Sequence, residues 1–173
     1  QEIDYQDENN KTAYTTYDGA DGVEIGSGPT GFLRKAAFSL RFGDVNPLVS
    51  ANITPDSKVL LERDVTSRLK SVAPFLAYDH DPYVVVLDGR AQYVVDGYTT
   101  TRNFPNAQRA DTGGLDPSSG LYGRSFNYAR NSVKAVVDAY NGTVEFYEMP
   151  GDDPIVAAYR DAFPEMFSDF EDM

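Results

Sequence analysis

The chain has 173 residues, of which 41% are hydrophobic and 13% aromatic, enough apolar content to bury a core in one compact domain. Its 27 acidic and 15 basic residues leave a formal net charge of -12, which disfavours nucleic-acid binding and a polybasic membrane-binding patch. The absence of cysteine and the presence of a single histidine exclude disulfides, thiol catalysis and a Cys/His zinc site.

Residues 1–28 are polar and rich in turn-forming residues. They predict an irregular polar arm with one short strand at 14–17. The first residues lack the basic and apolar segments of a signal peptide, and no stretch of the chain is apolar for the length of a membrane span. We therefore expect the chain to be a segment of a longer protein.

The first half of the remaining chain predicts two helices and one strand. Apolar residues recur at spacings of three and four after Pro29, which predicts an amphipathic helix that ends near Gly43. A second short helix is predicted at 48–53, after the turn signal Asp44-Val45-Asn46-Pro47, and a strand at 58–63. The apolar face of the first helix consists of Phe32, Leu33, Ala36, Ala37 and Leu40.

A third helix and a hairpin follow. Asp64 or Thr66 can cap a helix that Pro74 closes, and its apolar face would contain Val65, Leu69, Val72 and Leu76. The apolar run at 83–87, a turn at Asp88-Gly89 and a returning run at 91–95 predict a β-hairpin.

The last third of the chain predicts a second hairpin and a fourth helix. Alternating strands at 132–140 and 143–149 flank Asn141-Gly142, a strong short-range hairpin signal. Asp152-Asp153-Pro154 places acidic residues at the positive end of a helix that ends before Pro164. These elements predict an α+β fold, with antiparallel hairpins and three or four helices packed against them, in a single domain over 29–173.

Between the two hairpins, residues 97–130 show little periodicity and predict a long loop. Although the chain is acidic, residues 102–134 carry a net charge of +3 and residues 135–173 a net charge of -9. One interpretation pairs the loop arginines internally with Asp111, Asp116 or the acidic C-terminal helix. The alternative is a docking surface for an anionic partner, formed by Arg102, Arg109, Arg124 and Arg130.

No motif predicts catalytic, cofactor-binding or metal-binding residues. His80 lies in Asp79-His80-Asp81-Pro82, which is typical of a turn. The serine-hydrolase elbow is absent from the sequence, and the glycine-rich run at 19–28 lacks the Lys-Ser/Thr of a phosphate loop. The acidic clusters do not have the spacing of a calcium-binding loop. We therefore expect a non-catalytic domain without a cofactor.

Nine short segments, in order along nearly the whole chain, resemble the extracytoplasmic region of the uncharacterised protein family UPF0182. They are LRFGDVN at 40–46, ITPDS at 53–57, VAPFL at 72–76, DPY at 81–83, DGR at 88–90, VDGYTT at 95–100, RNSVKAVVDAY at 130–140, DPI at 153–155 and AFP at 162–164.

The resemblance implies a large integral membrane protein, mostly of actinobacteria, with several spans in the cell membrane and an extracytoplasmic region to which this chain belongs. It implies no catalytic residues. Our first interpretation is therefore a soluble, acidic extracytoplasmic domain of unknown biochemical activity that serves interaction, assembly or sensing. Its expected partners are its own membrane-spanning region and an envelope protein, without direct membrane insertion by this segment.

Two alternatives remain open. A hydrolase of envelope polymers would use paired carboxylates as acid and base, and it predicts facing acidic side chains of which at least one has a raised pKa. A solute-binding domain serving the membrane region predicts an enclosed, aromatic-lined cavity.

Overall fold

The structure, a computed structural model, describes residues 2–6, 12–15, 22–26, 28–50, 53–87 and 89–173. The chain divides into two compact units, Gln1–Leu61 and Glu62–Met173. The boundary follows Leu61, whereas the sequence predicted a boundary after residue 28.

The first unit combines two small antiparallel sheets with two helices. The strand pairs are β1 with β2 and β3 with β4. Its helices are joined by a tight turn in which Gly43 takes a left-handed conformation, with φ of 65°, as glycine does at helix ends. In chain order the elements are β1 (Glu2–Gln6), β2 (Thr12–Thr15), β3 (Val23–Glu24), α1 (Gly31–Phe42), α2 (Asn46–Val49) and β4 (Lys58–Val59).

Helix α1 confirms the predicted first helix and its end at Gly43. Strands β1, β2 and β3 lie in the described part of the predicted arm at 1–28, and β2 overlaps the strand predicted at 14–17. Residues 2–6 alternate polar with apolar, the period of a strand, and the turn-rich composition of the arm obscured it. The second helix, predicted at 48–53, begins earlier and is shorter, at Asn46–Val49, and the strand predicted at 58–63 is limited to β4. Thr16 and Tyr17 lie outside the described residues.

The second unit is built on a six-stranded sheet. Strand β7 pairs with β8 along one side and with both β5 and β6 along the other, and β9 and β10 continue beyond β8. All pairs are antiparallel except β9 with β10. The elements are α3 (Val65–Val72), β5 (Ala77–Tyr78), β6 (Tyr83–Leu87), β7 (Arg90–Thr101), β8 (Tyr128–Asp138), β9 (Val144–Glu148), α4 (Pro154–Ala162), β10 (Phe167–Asp169) and a 3-10 turn (Phe170–Asp172).

The main hydrophobic core lies on one face of this sheet. Leu69 of α3 and Val156 of α4 are fully buried there against alternate residues of the central strands. The opposite face carries a smaller cluster of Val94, Val136 and Tyr147. The sheet residues of the main core are Tyr78, Val95, Val133, Ala135, Val137, Phe146 and Phe167.

The second unit confirms the predicted α+β class: α3 and α4 pack against antiparallel hairpins. The Asp64 carboxylate accepts a hydrogen bond of 2.8 Å from the backbone N–H of Ser67 at the start of α3, a predicted helix cap. Strands β5 and β10 were not predicted, since two or three residues carry no readable period.

The hairpin of β8 and β9 confirms the second predicted pair of strands, but its turn is longer than two residues. Gly142 alone takes a positive φ, of 75°. The carboxylate of Asp138 accepts hydrogen bonds from the backbone N–H groups of Tyr140 and Asn141, and the side chain of Asn141 accepts one from the N–H of Thr143. These side-chain contacts replace the tight turn that Asn-Gly predicted.

The predicted loop at 97–130 is too long at both ends. Strand β7 continues to Thr101 and β8 begins at Tyr128, so the irregular segment is 102–127. Tyr98 and the three threonines after it favour a strand. Gly97, which lies inside the strand, obscured this signal in the sequence.

Candidate interaction surfaces

A buried polar cluster joins the first turn of α4 to the middle of the sheet. Its centre is Asp153, which is 4% exposed. Its carboxylate accepts hydrogen bonds from the hydroxyls of Thr99, Ser132 and Tyr128 and, as the cap of α4, one of 3.0 Å from the backbone N–H of Ile155. The cluster therefore links β7, β8 and α4.

An irregularity in the sheet places Ser132 in this cluster. The register of β7 with β8 shifts between Gly97 and Tyr98, whose partners are Val133 and Asn131, so Ser132 is an extra residue on β8. An extra residue of this kind changes the direction of a side chain. The hydroxyl of Ser132 thus reaches the carboxylate of Asp153, as the hydroxyl of Thr99 does. All hydrogen-bond partners of the Ser132 hydroxyl lie within the second unit.

The pKa of Asp153 is shifted in the direction expected of a carboxylate with a structural role. Burial acts to raise the pKa of this carboxyl, but the hydrogen bonds that it accepts from Ser132, Thr99, Ile155 and Tyr128 outweigh burial, and the pKa is lowered. The other described carboxyl groups with a resolved pKa shift, Asp64 and Asp116, are also shifted downward, in each case chiefly by a backbone hydrogen bond. A catalytic acid would require the opposite shift.

Hydrogen bonds between its two ends hold the irregular segment 102–127 together. The side-chain amide of Asn127 donates to the carbonyls of Phe104 and Ala107, at 2.8 and 3.3 Å, and accepts from the N–H of Phe104. The ring of Phe104 stacks on that of Tyr128 at 4.5 Å. The far end of the segment contacts the residue that follows β5, because the Asp79 carboxylate accepts a hydrogen bond of 2.6 Å from the N–H of Gly120. This segment is an ordered surface loop.

The four predicted contact arginines are all on or beside this loop. Arg102 donates to the carbonyl of Ser125 at 3.1 Å, and Arg130 donates to the carbonyl of Asp152 at 2.6 Å. Arg109 and Arg124 are exposed. Within the described residues, none of the four forms an ion pair, since the pairs found involve Arg34, Arg90, Lys134 and Arg160.

The acidic residues of the loop have other partners. Asp111 accepts a hydrogen bond from the N–H of Gly113 and Asp116 from the N–H of Ser118, so both stabilise turns. The predicted internal pairing of the arginines with Asp111, Asp116 or the C-terminal helix is therefore not found among the described residues. The loop keeps a positive local charge in an acidic protein.

Helix α1 presents its apolar face to solvent. Phe32 is 72% exposed and Leu40 is 88% exposed, while the buried residues of the helix are Gly31 and Ser39. Val49, the last residue of α2, is 74% exposed. Large exposed apolar side chains grouped on neighbouring helices mark a binding surface. The α1–α2 apolar surface is defined here by Phe32, Leu33, Leu40, Val45 and Val49.

Polar side chains hold the inner side of α1. Lys35 donates to the carbonyl of Ile53 at 3.3 Å, and Arg34 forms an ion pair of 3.3 Å with Glu24. The buried hydroxyl of Ser39 has no hydrogen-bond partner within the described residues. The sequence predicted the apolar face of α1 from its periodicity, which does not show whether such a face is covered.

The remaining sequence motifs that the structure describes include His80 and the C-terminal acidic cluster. His80 is exposed, and its backbone N–H donates to the carbonyl of Ser118 at 2.8 Å, as expected for a turn. Asp169, in the C-terminal acidic cluster, pairs with Arg160 at 2.9 Å. In the part of the chain that the structure describes, no three His, Asp or Glu side chains are placed to share a metal ion, and none of the helices has the length and apolarity of a membrane span.

Comparison with known proteins gives one family over the full length. The model of the uncharacterised protein family UPF0182 matches residues 1–173. A UPF0182 protein of Cupriavidus necator is 46% identical over 166 residues, 96% of this chain. Relatives from Methanospirillum hungatei and Corynebacterium glutamicum are 40% and 42% identical over 100% and 91% of the chain.

These relatives are much longer than the chain. The matched region is 16% of the Cupriavidus protein, 18% of the Methanospirillum protein and 16% of the Corynebacterium protein. No solved structure matches the chain.

Proposed function

Because the chain belongs to the uncharacterised protein family UPF0182, whose curated members are far longer, we propose that it is an extracytoplasmic interaction module of a multi-spanning membrane protein. In this proposal the module serves assembly or sensing, and its first partner is the membrane-spanning region of its own polypeptide. The cell membrane location comes from the family resemblance of the sequence.

The observation that carries the proposal is the α1–α2 apolar surface. Leaving Phe32, Leu40 and Val49 more than two-thirds exposed is costly in water, since full burial of one such side chain contributes about 1.5–3 kcal/mol. More than four-fifths of the length of the relatives lies outside the matched region. A surface of this kind is expected to pack against that remainder.

The surface loop at 102–127, with its arginines, supplies a second contact in this proposal. Arg109 and Arg124 are exposed on an ordered loop, where guanidinium groups can bind carboxylates in a bidentate geometry. Replacing Arg102, Arg109 and Arg124 with alanine is expected to leave folding intact and to weaken assembly or activity of the full-length protein. If folding and both outputs are unchanged, the loop is not a docking surface.

The location is tested by cysteine labelling of the full-length protein. The chain has no cysteine, so Asn103→Cys, at an exposed loop position, introduces one thiol into this region. We expect a membrane-impermeant maleimide to label it in intact cells, in a background where all other cysteines of the protein are replaced. Labelling only after permeabilisation would overturn the extracytoplasmic location.

The packing role is tested by Leu40→Lys, with Arg41→Lys as the matched control on the next residue. In the full-length protein Leu40→Lys should destabilise the fold by about 2 kcal/mol, because the proposed contact would bury Leu40, which is 88% exposed in this chain, and lysine brings a charge into that contact. A lower aggregation temperature of the detergent-solubilised protein reports this loss. Equal behaviour of the two variants would remove the α1–α2 apolar surface as a contact.

The hydrolase alternative has less support. Asp153, the buried acidic residue, faces hydroxyl groups and has a lowered pKa. The solute-binding alternative stays a prediction, tested by ligand-induced changes in thermal stability.

A further inference from the structure

Strand β6 is an apolar edge strand. It pairs with β7 from Tyr83↔Val94 to Leu87↔Arg90, and within the described residues no second strand pairs with it. None of its five residues is charged. Val84 and Val86 are 57% and 71% exposed. The strand therefore has exposed apolar side chains beside its unpaired backbone edge.

The register of β6 and β7 shows which backbone groups are available. Val86 is opposite Ala91, and the carbonyl of Ala91 accepts a hydrogen bond from the N–H of Ala139 on the other side of β7, so the backbone of Ala91 does not bond to Val86. Because hydrogen-bonded and non-hydrogen-bonded pairs alternate in an antiparallel ladder, Tyr83, Val85 and Leu87 bond to β7. Val84 and Val86 therefore direct their N–H and C=O groups away from the sheet.

This edge lacks the features that usually prevent strand addition. Natural edge strands carry a lysine, an internal proline or a bulge, or are covered. The register of β6 is continuous, and Pro82 precedes the strand without interrupting it. The strand is also held in place, because the ammonium of Lys134 on β8 lies 5.9 Å from the centre of the Tyr83 ring. An edge of this type is a template for another strand.

A second copy of the chain fits this edge poorly. Two five-residue strands bury far less than the roughly 1,200–2,000 Å² of a stable protein interface. Each copy also carries a net charge of -12, which opposes association. The matched region is only 16–18% of the relatives, so each full-length polypeptide has ample chain to supply a strand within the same molecule.

We propose that an extended segment of the full-length polypeptide, outside this chain, adds a strand to β6. The inference rests on the proposed membership of this chain in a longer protein, and it does not depend on the side of the membrane. The added strand would bond to the backbone of Val84 and Val86. It would face their side chains with apolar, β-branched or aromatic residues at alternate positions.

Photocrosslinking in the full-length protein tests the inference. p-Benzoylphenylalanine at position 86 is expected to crosslink to a segment outside these 173 residues, and the same group at Asn103, an exposed loop position, is expected not to reach that segment. Co-expression of isotopically light and heavy copies identifies the acceptor. Crosslinks between light and heavy copies, crosslinks confined to these 173 residues, or no crosslink would each overturn it.

Residue-resolved hydrogen exchange of the full-length protein gives a second test that needs no substitution. We expect the amides of Val84 and Val86 to be protected to within about tenfold of the Val85 amide, which bonds to β7. Rapid exchange at both residues would overturn the inference. If Asn103→Cys is labelled from outside but the edge exchanges rapidly, the strand inference fails while the proposed location stands.

Discussion

Ser132 donates a hydrogen bond from its hydroxyl to the carboxylate of Asp153, 21 residues further along the chain. Both side chains are buried, and the contact joins β8 to the first turn of α4. It exists because the register shift beside Gly97 makes Ser132 an extra residue in its strand. One bulge therefore determines where a helix is attached to the sheet.

Asp153→Ala is expected to destabilise the protein by about 3 kcal/mol. The change removes a helix cap and leaves buried hydroxyls of Thr99 and Ser132 without their acceptor. Urea unfolding followed by circular dichroism measures the loss. Asp152→Ala is the matched control, since Arg130 contacts its backbone carbonyl. Equal effects of the two substitutions would contradict the structural role of Asp153.

Stability should fall in acid partly through Asp153. Its pKa is lowered in the folded protein, so its stabilisation is complete above the unfolded carboxyl value of about 3.9 and is lost as pH falls through the lower folded value. The free energy difference between the wild type and Asp153→Asn should therefore shrink on acidification. Urea unfolding from about pH 7 to about pH 2.5 measures it; a constant difference would refute the prediction.

Asn127→Ala is expected to open the loop without unfolding the sheet. The substitution removes the amide that bonds to Phe104 and Ala107. Loss of these bonds should raise the rate of tryptic cleavage after Arg109 and Arg124 by about tenfold, since local opening costs less free energy. Asn103→Ala, on the same loop, serves as the control. Unchanged cleavage in Asn127→Ala would show that other contacts hold the loop.

Leu69→Ala tests the assignment of the main core. Leu69 is fully buried, so the substitution should cost about 3 kcal/mol through lost burial and a cavity. Val72→Ala, on the same helix at a position that is 45% exposed, should lower the free energy of unfolding by about 1 kcal/mol or less. Chemical denaturation measures the free energy of unfolding of both variants. Similar losses would contradict the assignment of Leu69 to the main core.

The helices and hairpins could be predicted because their signals are local. The spacing of apolar residues located α1 and α3, and Asp153 with Pro154 located the start of α4. The burial of Asp153 could not be predicted in this way, because Thr99 is 54 residues away in the chain. The same applies to β10, whose three residues form a strand only beside β9.

The sequence by itself determined helices α1, α3 and α4, the hairpins of β6 with β7 and of β8 with β9, the α+β class and the family, since each depends on local pattern or on similarity along the chain. Only the tertiary structure decided which apolar residues are covered. Periodicity identifies an apolar face but not what packs on it. Leu69 and Leu40 both lie on predicted apolar faces, yet one is fully buried and the other is 88% exposed. Burial is set by distant parts of the chain, and here that difference separates the core from the proposed contact surface.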